Sequence, residues 1–565
     1  MMQKTDFLSR MFRDFDRTFA ESCQILEQKN SYDLIGSETS VWKFLVNEKG
    51  CITIETQFTP PELPLDTYAG VRRTLLTLFD PAKHGCGDFA APVSHTLLDK
   101  WLPVSEVVYL NTADEKSAIE CFYADSTGLL VKTVCGTTTA FYKIAVPQTQ
   151  EPAEVWALPD PQPEKISRAA YDNALNEVKE YWSARMAPVL AYPLEHEKLK
   201  NMLLASIVKA FLCQYNGALR YGGTRYYYDT GVSAESFPPT LFTMCEVCLF
   251  FGLAKDAGRF LEHFLANFIS PDGDLMHRGN GASLSEHGML LRICALYLDA
   301  TSDRDFAERF TPQIMAVVKN LYNSINALPA GELLVGCPED DLRDWQARPW
   351  YSCNLWSIRG LAEIIAADIP ALDETFKAEI RQTVNRFRTV VLESCRANTV
   401  KCSDGENFIP PFAGWKEPFT TMNEFIELHP GDDIHSLASY TNYRFYPEML
   451  SSMELPPEIA ENIINFRNHR QGDLAGVTRF RIFRDYPPYA DCFDNWPIYN
   501  WLQGLAHYGK WEDFIRVMSG HAAHHQHRET CFAPEMSFKD RLDSTHCVPS
   551  QLLIPLALKE LLSRR

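Results

Sequence analysis

The chain has 565 residues, of which 46% are hydrophobic and 12% aromatic, so it can bury large cores and is not a disordered protein. At this length two domains are expected. The formal net charge of -19 disfavours nucleic acid, anionic membrane and acidic polymers as partners, because each of these binds a basic surface.

The first 28 residues predict a helix that leads into the chain. They mix charges with aromatic residues and lack the apolar core of a signal peptide. No window has the apolar length of a membrane span, so no membrane partner is expected. The 16 cysteines are scattered without the spacings of a disulfide framework, which favours buried reduced thiols. We therefore expect a cytoplasmic protein.

Residues 38–146 predict an antiparallel β-domain. Short β-branched or aromatic runs alternate there with turn-forming residues such as 47–50 and 126–128. Five prolines within residues 147–165 suggest a linker, and a helix is expected after it. The predicted domains are therefore 1–146 (β-rich, with its helical lead-in), 147–194 (linker and linker helix) and 195–565 (helical).

From residue 195 onward, roughly twelve apolar segments of helical period predict six helical hairpins. The connections between them are alternately short and long. The long ones span 217–234, 270–283, 328–349, 398–434, 470–492 and 528–546. If successive helices are antiparallel, every long loop lies at the same end of the bundle, and this end is expected to carry a cavity.

Two kinds of helix alternate in this region. The odd segments (195–216, 256–269, 303–327, 372–396, 457–470 and 510–527) are amphipathic with a charged face, whereas the even ones (235–251, 284–299, 351–368, 435–451, 493–507 and 547–562) are apolar almost all round. A helix that is apolar all round is buried on all sides. The prediction is a mainly α fold, in which an (α/α)6 toroid follows an antiparallel β-sandwich-like domain.

The long loops are rich in aromatic residues and carboxylates. Rings stack on the C–H faces of a pyranose, and carboxylates accept hydrogen bonds from its hydroxyls, so this composition favours a carbohydrate ligand. The candidate substrate-binding residues are Tyr227, Asp229, Glu286, His287, Trp345, Trp350, Trp415 and Trp496.

Two of these loops resemble the working loops of the six-hairpin, or (α/α)6-barrel, glycosidases, which include glucoamylases, debranching-type glucosidases and α-rhamnosidases. The acidic segment 336–356 precedes the sixth helix, where glucoamylase-like enzymes carry the general acid. A proline stands before Glu339 in place of the family's tryptophan, so Glu339, Asp340 and Asp341 all remain candidates. Segment 530–537 resembles the late loop that carries the general base, which implies Glu535 for that role.

A third stretch, residues 226–229, resembles the aromatic–Asp segment that holds outer sugar hydroxyls, although the usual Arg-Asp dipeptide is missing. The resemblance implies a glycoside hydrolase that inverts the anomeric configuration, with its two carboxyls roughly 6.5–9.5 Å apart. No cofactor is implied. The histidines at 521, 524, 525 and 527 share a helical face, but no acid or cysteine pattern accompanies them, so no metal is expected.

Several alternatives stay open. A sugar epimerase on the same toroid would use paired histidines, for which His287 and His435 are available, and a phosphorylase would need a basic pocket such as Arg481 and Arg484 could form. A polysaccharide lyase is disfavoured by the net charge. A carbohydrate-binding protein without catalysis is the alternative outside the enzymes. The sequence does not define an oligomeric state.

Overall fold

The computed structural model describes residues 4–40, 42–56, 74–146, 163–215, 218–222, 237–276, 283–337, 347–402, 404–415, 440–480, 492–542 and 546–564. The chain divides into two compact units. Unit 1 comprises Met1–Ile25, Ser236–His521 and Leu556–Arg565, and unit 2 comprises Leu26–Glu235 and Ala522–Pro555. The predicted boundaries at residues 146 and 194 stay a prediction. Within the described ranges, no helix is both long and apolar enough to cross a bilayer.

The helices account for most of the regular structure. In chain order they are α1 Lys4–Ile25, α2 Arg168–Arg185, α3 Ala187–Leu190, α4 Glu197–Leu212, α5 Pro238–Phe250, α6 Ala254–Asn267, α7 Leu284–Thr301, α8 Arg304–Asn326, α9 Tyr351–Ile364, α10 Glu374–Ala397, α11 Tyr446–Ser451, α12 Pro457–His469, α13 Ile498–His507, α14 Trp511–Gly520, α15 Val548–Gln551 and α16 Leu553–Leu562. A π-helical turn, Thr441–Phe445, leads directly into α11.

Ten strands of unit 2 form its two larger antiparallel sheets, and Gln214–Tyr215 pairs with Ala218–Leu219 in a small third one. The first has the order β1-β2-β3-β4 and the second the order β10-β9-β8-β7-β6-β5, so both are meanders. Their bounds are β1 Tyr32–Ile35, β2 Phe44–Asn47, β3 Ile52–Thr56, β4 Thr74–Phe79, β5 Phe89–Leu97, β6 Val104–Asn111, β7 Lys116–Ala124, β8 Gly128–Cys135, β9 Thr138–Ile144 and β10 Glu164–Lys165.

The two sheets share one hydrophobic core, to which β1–β4 contribute residues such as Phe44 and Ile54, and β6–β9 residues such as Val107 and Val131. In β2, β3 and β6–β9 the side chains that enter this core are two residues apart, as the period of two requires. The predicted β-sandwich-like domain is therefore confirmed. Cys86 and Cys135 form a disulfide across a Cα–Cα distance of 5.1 Å, which the scattered spacing did not predict. The other 14 cysteines are thiols.

The helices of unit 1 show the two predicted kinds of burial. Nearly every residue is buried in α5, α7, α9, α11 and α13, whereas α6, α8, α10, α12 and α14 each bury one stripe. Two of the inner helices approach at their backbones. A Cβ atom on Gly288 of α7 would lie 2.0 Å from the carbonyl oxygen of Trp356, and one on Gly360 of α9 would lie 2.4 Å from that of Gly288. Only glycine fits at this crossing.

Helix α4 differs from the prediction that it is amphipathic with a charged face. Beyond its first turn it is buried along its whole length. Its one interior cation, Lys209, is buried and forms an ion pair with the equally buried Asp33 of β1. The pair explains how a charged residue can lie within a buried helix, because a buried charge requires a partner. Both residues belong to unit 2, so the ion pair fixes α4 against the first sheet.

We expect Lys209→Met to lower the free energy of unfolding by about 3 kcal/mol, because it leaves Asp33 buried without its cation. The double variant Asp33→Leu/Lys209→Met should recover most of that loss, since it removes both charges. Arg168→Met is the control, because it breaks only the exposed pair with Asp172 and should change stability by less than about 1 kcal/mol. Chemical denaturation of the full chain measures all three. Equal stability of Lys209→Met and Arg168→Met would contradict the assignment.

Candidate functional site

The amino ends of five inner helices of unit 1 meet at one place. We call the residues that mark them, Phe237, Glu286, Trp350, Arg444 and Trp496, the amino-end cluster. Phe237 precedes α5, Glu286 lies in the first turn of α7, and Trp350 precedes α9. Arg444 lies in the π-helical turn before α11, and Trp496 lies two residues before α13.

Ring contacts connect these ends. Phe237 packs edge-on against Trp496 at 5.4 Å between ring centroids, and the guanidinium of Arg444 lies 5.2 Å from the centre of the Trp496 ring. Trp350 packs against Phe445, the neighbour of Arg444, at 4.4 Å. The alternation of loop lengths predicts this arrangement, because it puts all long loops, and hence all inner-helix amino ends, on one side.

Backbone hydrogen bonds join the two ends of the loop before α9. The backbones of Gly336 and Arg348 exchange two hydrogen bonds, of 3.2 and 3.1 Å, so the loop between them begins and ends at one point. Trp350 then pairs with Phe412 from the following loop, and Phe412 contacts Trp415 at 5.4 Å between ring centroids. Trp415 is therefore part of the same aromatic group as Trp350.

Arg444 is the positively charged residue of the amino-end cluster, and it pairs with two glutamates. Its Nη2 donates to Glu286 Oε1 at 3.1 Å, and its Nε donates to Glu448 Oε1 at 2.8 Å. All three side chains are buried. Burial raises the pKa of the Glu448 carboxyl above its ordinary value, an effect that the nearby Glu286 adds to and that Arg444 only partly opposes.

Glu286 has a second role in the fold. It completes a capping box at the start of α7, in which the Ser283 side chain accepts from the Glu286 backbone N–H while the Glu286 carboxylate accepts from the Ser283 N–H. One carboxylate oxygen thus caps the helix and the other binds Arg444. The geometry makes Glu286 a positioning residue, and its predicted contact with substrate stays a prediction.

His287 follows Glu286 and is also buried. Its Nδ1 lies 2.9 Å from the carbonyl oxygen of Ser283, to which it donates, and its Nε2 lies 3.7 Å from Asp274 Oδ1. Contact with His287 is the main cause that lowers the pKa of Asp274. An imidazole aligned between a carbonyl and a carboxylate has a fixed orientation, as an acid–base histidine requires.

A second charged cluster lies deeper along the same inner helices. Glu246 of α5 binds Arg292 of α7, and it also accepts hydrogen bonds from Gln503 of α13 and Lys559 of α16, each at 2.8 Å. Burial alone would raise the pKa of Glu246, but Arg292 and Lys559 outweigh it and hold the pKa at about 2. This carboxylate is ionised at every ordinary pH, whereas burial shifts the pKa of Glu448 in the opposite direction.

The predicted general base, Glu535, belongs to unit 2. It is partly buried and follows Pro534, whose backbone pairs with that of His546. After burial, the Glu535 carboxylate is the next largest cause that raises the pKa of Cys547, the residue that precedes α15. Glu535 therefore lies near the amino end of α15, which is the kind of position that the cluster residues occupy in unit 1.

The remaining predicted residues lie outside the described part of the chain. They are Tyr227, Asp229, Glu339, Asp340, Asp341 and Trp345. The described candidates Glu286, His287, Trp350, Trp415 and Trp496 are all at most 5% exposed. Among the described residues, no group of three or more potential metal ligands occurs. The histidines of the 521–527 segment are used otherwise: His525, for example, contacts the Ser537 hydroxyl and the Pro534 carbonyl.

Sequence analysis missed Arg444, Glu448, Glu246 and Arg292. A signal for the first two was present, because they are four residues apart in a segment otherwise predicted to be buried. Charges four residues apart share one helix face and can pair. Charged residues in a helix assigned to the inner ring must find such partners, so their spacing could have predicted the buried pair.

Comparison with known proteins places this fold. No protein-family model and no curated protein matches the chain. Among solved structures, a bacterial glucoamylase complexed with acarbose aligns over 95% of this chain and 95% of its own, with a TM-score of 0.57 and 9% identity. The chain therefore has a glucoamylase-like fold.

Two further solved structures align with a smaller part of the chain. A wild-type glycosidase aligns over 66% of this chain and 99% of its own, with a TM-score of 0.44 and 15% identity. A D-mannose isomerase aligns over 66% of this chain and 100% of its own, with a TM-score of 0.45 and 9% identity. Because both scores are low, the assignment of the fold rests on the glucoamylase.

The two buried glutamates should change stability with pH in opposite directions. Glu448 has a raised folded pKa, so its stabilising protonated form is fully present below the unfolded pKa of about 4.3 and is lost as pH rises through the folded pKa. The stability of Glu448→Gln relative to the wild type should therefore increase as pH rises from about 4.5 to about 7.5.

Glu246 is the matched comparison. Its pKa of about 2 means that it stabilises the fold above about pH 4.3, and this stability is lost as pH falls through the folded pKa. Glu246→Gln should lose about 3 kcal/mol at neutral pH and approach the wild type in acid. Urea denaturation from about pH 2 to about pH 7.5 measures both variants, Glu246→Gln mainly below about pH 4.3 and Glu448→Gln mainly above it. If the difference in unfolding free energy between variant and wild type changed with pH in the same direction for both variants, the two environments would be contradicted.

Proposed function

We propose that the protein is a glycoside hydrolase that cleaves a glycosidic bond with a carboxyl acid–base pair and inverts the anomeric configuration. The observation that supports this most is the amino-end cluster on a glucoamylase-like fold. It gathers aromatic side chains and buried charge at the end of the inner helices where the long loops attach. A fold alone does not define a reaction, so the proposal depends on the residues of this end.

The general acid is proposed among Glu339, Asp340 and Asp341. Their loop lies between Gly336 and Arg348, whose backbones are hydrogen-bonded to each other, and Arg348 is two residues before Trp350 of the cluster. A general acid needs a pKa above its ordinary value, and an apolar, aromatic neighbourhood raises the pKa of a carboxyl by disfavouring its charged form. The tryptophans and phenylalanines packed around Trp350 would supply such a neighbourhood.

The general base is proposed to be Glu535, which would remove a proton from the attacking water. Its place beside Cys547, next to the paired backbones of Pro534 and His546, supports this role, because it sets the carboxylate in an ordered part of the late loop. Inversion requires room for the water, so the acid and the base would be roughly 6.5–9.5 Å apart. The ligand is proposed to be a carbohydrate, as acarbose is for the glucoamylase of the same fold.

A second candidate function is epimerisation or isomerisation of a free sugar. The observation that favours it is His287, whose ring is oriented by the Ser283 carbonyl and lies close to Asp274. Incubation of free aldoses with the protein in D2O distinguishes the two functions. Deuterium uptake at carbon without any glycoside cleavage would favour the second.

We also propose a cytoplasmic location, supported by the 14 thiols. The Cys86–Cys135 disulfide is the observation against it.

Glu535→Gln should reduce cleavage by a factor of about 10³ or more, because an amide cannot accept the proton of the attacking water. The measurement is hydrolysis of aryl glycosides and oligosaccharides, with and without phosphate. Asp540→Asn is the control, since Asp540 is an exposed acid of the same segment that pairs with Arg541; it should keep wild-type activity. Full activity of Glu535→Gln would remove Glu535 from the mechanism.

One of the variants Glu339→Gln, Asp340→Asn and Asp341→Asn should lose about 10²- to 10⁴-fold in rate on unactivated glycosides, since the leaving oxygen then lacks its proton donor. The same variant should keep most of its rate on a 2,4-dinitrophenyl glycoside, whose leaving group needs no proton. The other two variants are its controls. If all three retain activity on both substrates, the acid lies elsewhere.

A further inference from the structure

Unit 2 contains a cavity of about 610 Å³, which is within the size range of small-molecule sites. None of the residues predicted to act in catalysis lines it. Its buried lining consists of Lys29, Ser31, His95 and His527, and its more exposed lining includes Glu48, Ser94 and Glu529. All of these belong to one unit, from the segment before β1, the β2–β3 turn, strand β5 and the 527–529 segment.

The two histidines in the cavity are held in fixed orientations. His95 lies between two serines, with Nδ1 2.7 Å from the Ser31 hydroxyl and Nε2 2.8 Å from that of Ser105. The backbone N–H of Thr530 donates to Nδ1 of His527 at 3.1 Å. On the other side of the ring, Nε2 of His527 lies 3.1 Å from the side-chain Nε2 of Gln28 at the cavity.

Both rings are neutral at ordinary pH. Burial is the main cause that lowers the pKa of His95 well below its usual value, and it lowers the pKa of His527 to about 4. Lys209, the cation of the buried pair with Asp33, adds to both effects. The rings therefore bring no charge to the cavity, and both nitrogens of His95 are already paired with serine hydroxyls.

The remaining charges restrict the ligand. The carboxylates of Glu48 and Glu529 disfavour an anion, and the lysine among the buried lining residues disfavours a cation. The other polar lining groups are amides and hydroxyls, among them those of Asn30, Ser94 and Thr96, and these both donate and accept hydrogen bonds. A hydroxyl group also does both, so a ligand with many hydroxyls matches such a lining.

We propose that this cavity is a binding site for a neutral polyhydroxylated ligand of the size of a mono- or disaccharide. The site does not depend on the proposed hydrolysis, because the residues that carry it are separate from the predicted acid and base. Its occupant is defined by the absence of net charge and by several hydroxyls.

The test uses three probes with one carbon skeleton: D-glucose, gluconate and glucosamine at about pH 6.5, which are neutral, anionic and cationic. Isothermal titration is carried out on the full-length wild type and on Ser94→Trp, whose indole would fill the cavity from the exposed side of β5. Thr139→Trp is the matched control, because Thr139 is an exposed residue of β9 that does not line the cavity. Thermal unfolding verifies that both variants fold.

The proposal predicts glucose binding that Ser94→Trp weakens by about tenfold or more and Thr139→Trp leaves unchanged. If the wild type does not bind glucose, or if Ser94→Trp and Thr139→Trp bind it equally well, the proposed site is wrong. Binding of gluconate or glucosamine, but not glucose, that is lost only in Ser94→Trp would overturn the ligand class. Each result is independent of turnover, so a protein that cleaves no glycoside can still confirm the site.

Discussion

The candidate site of unit 1 depends on the contacts of one buried group, the guanidinium of Arg444. It joins the first turn of α7, through Glu286, to the start of α11, through Glu448, and it lies against Trp496 before α13. Hydrophobic contacts alone are not directional, and they would allow these helices to slide. A buried ion pair with two defined hydrogen bonds permits one register, and this fixes where the long loops begin.

The same helices hold two carboxyls in opposite environments. Glu448 shares a single cation with Glu286 and is shifted towards its protonated form, whereas Glu246 has two cations and remains ionised. Paired carboxyls with separated pKa values are the usual basis of acid–base roles. Here the ionised one lies deep among Arg292, Lys559 and Gln503, where it serves the fold. The carboxyl with the raised pKa, that of Glu448, lies beside the amino-end cluster, where burial favours its neutral form.

Much of the fold could be predicted from the sequence. Stacked helical hairpins require connections of alternating length and inner helices that are apolar on all sides, and both patterns can be read in the sequence. The alternation of strands and turns before residue 146 also defined the β-sandwich. Three features could not be predicted. The burial of α4 depends on the partner of Lys209, and the Cys86–Cys135 disulfide depends on which strands become neighbours. The bond of Glu286 to Arg444 depends on where the start of α11 comes to lie, whereas its capping box has the Ser-x-x-Glu spacing that the sequence shows.

The proposed reaction makes one stereochemical demand, since a water activated by Glu535 must attack the face opposite the leaving group. The most direct measurement is proton NMR of the first-formed anomer during cleavage of whichever glycoside the protein hydrolyses. The account predicts that this product has the inverted configuration and mutarotates afterwards. A first product of retained configuration would require a covalent intermediate and a closer carboxyl pair, and it would contradict the proposed roles.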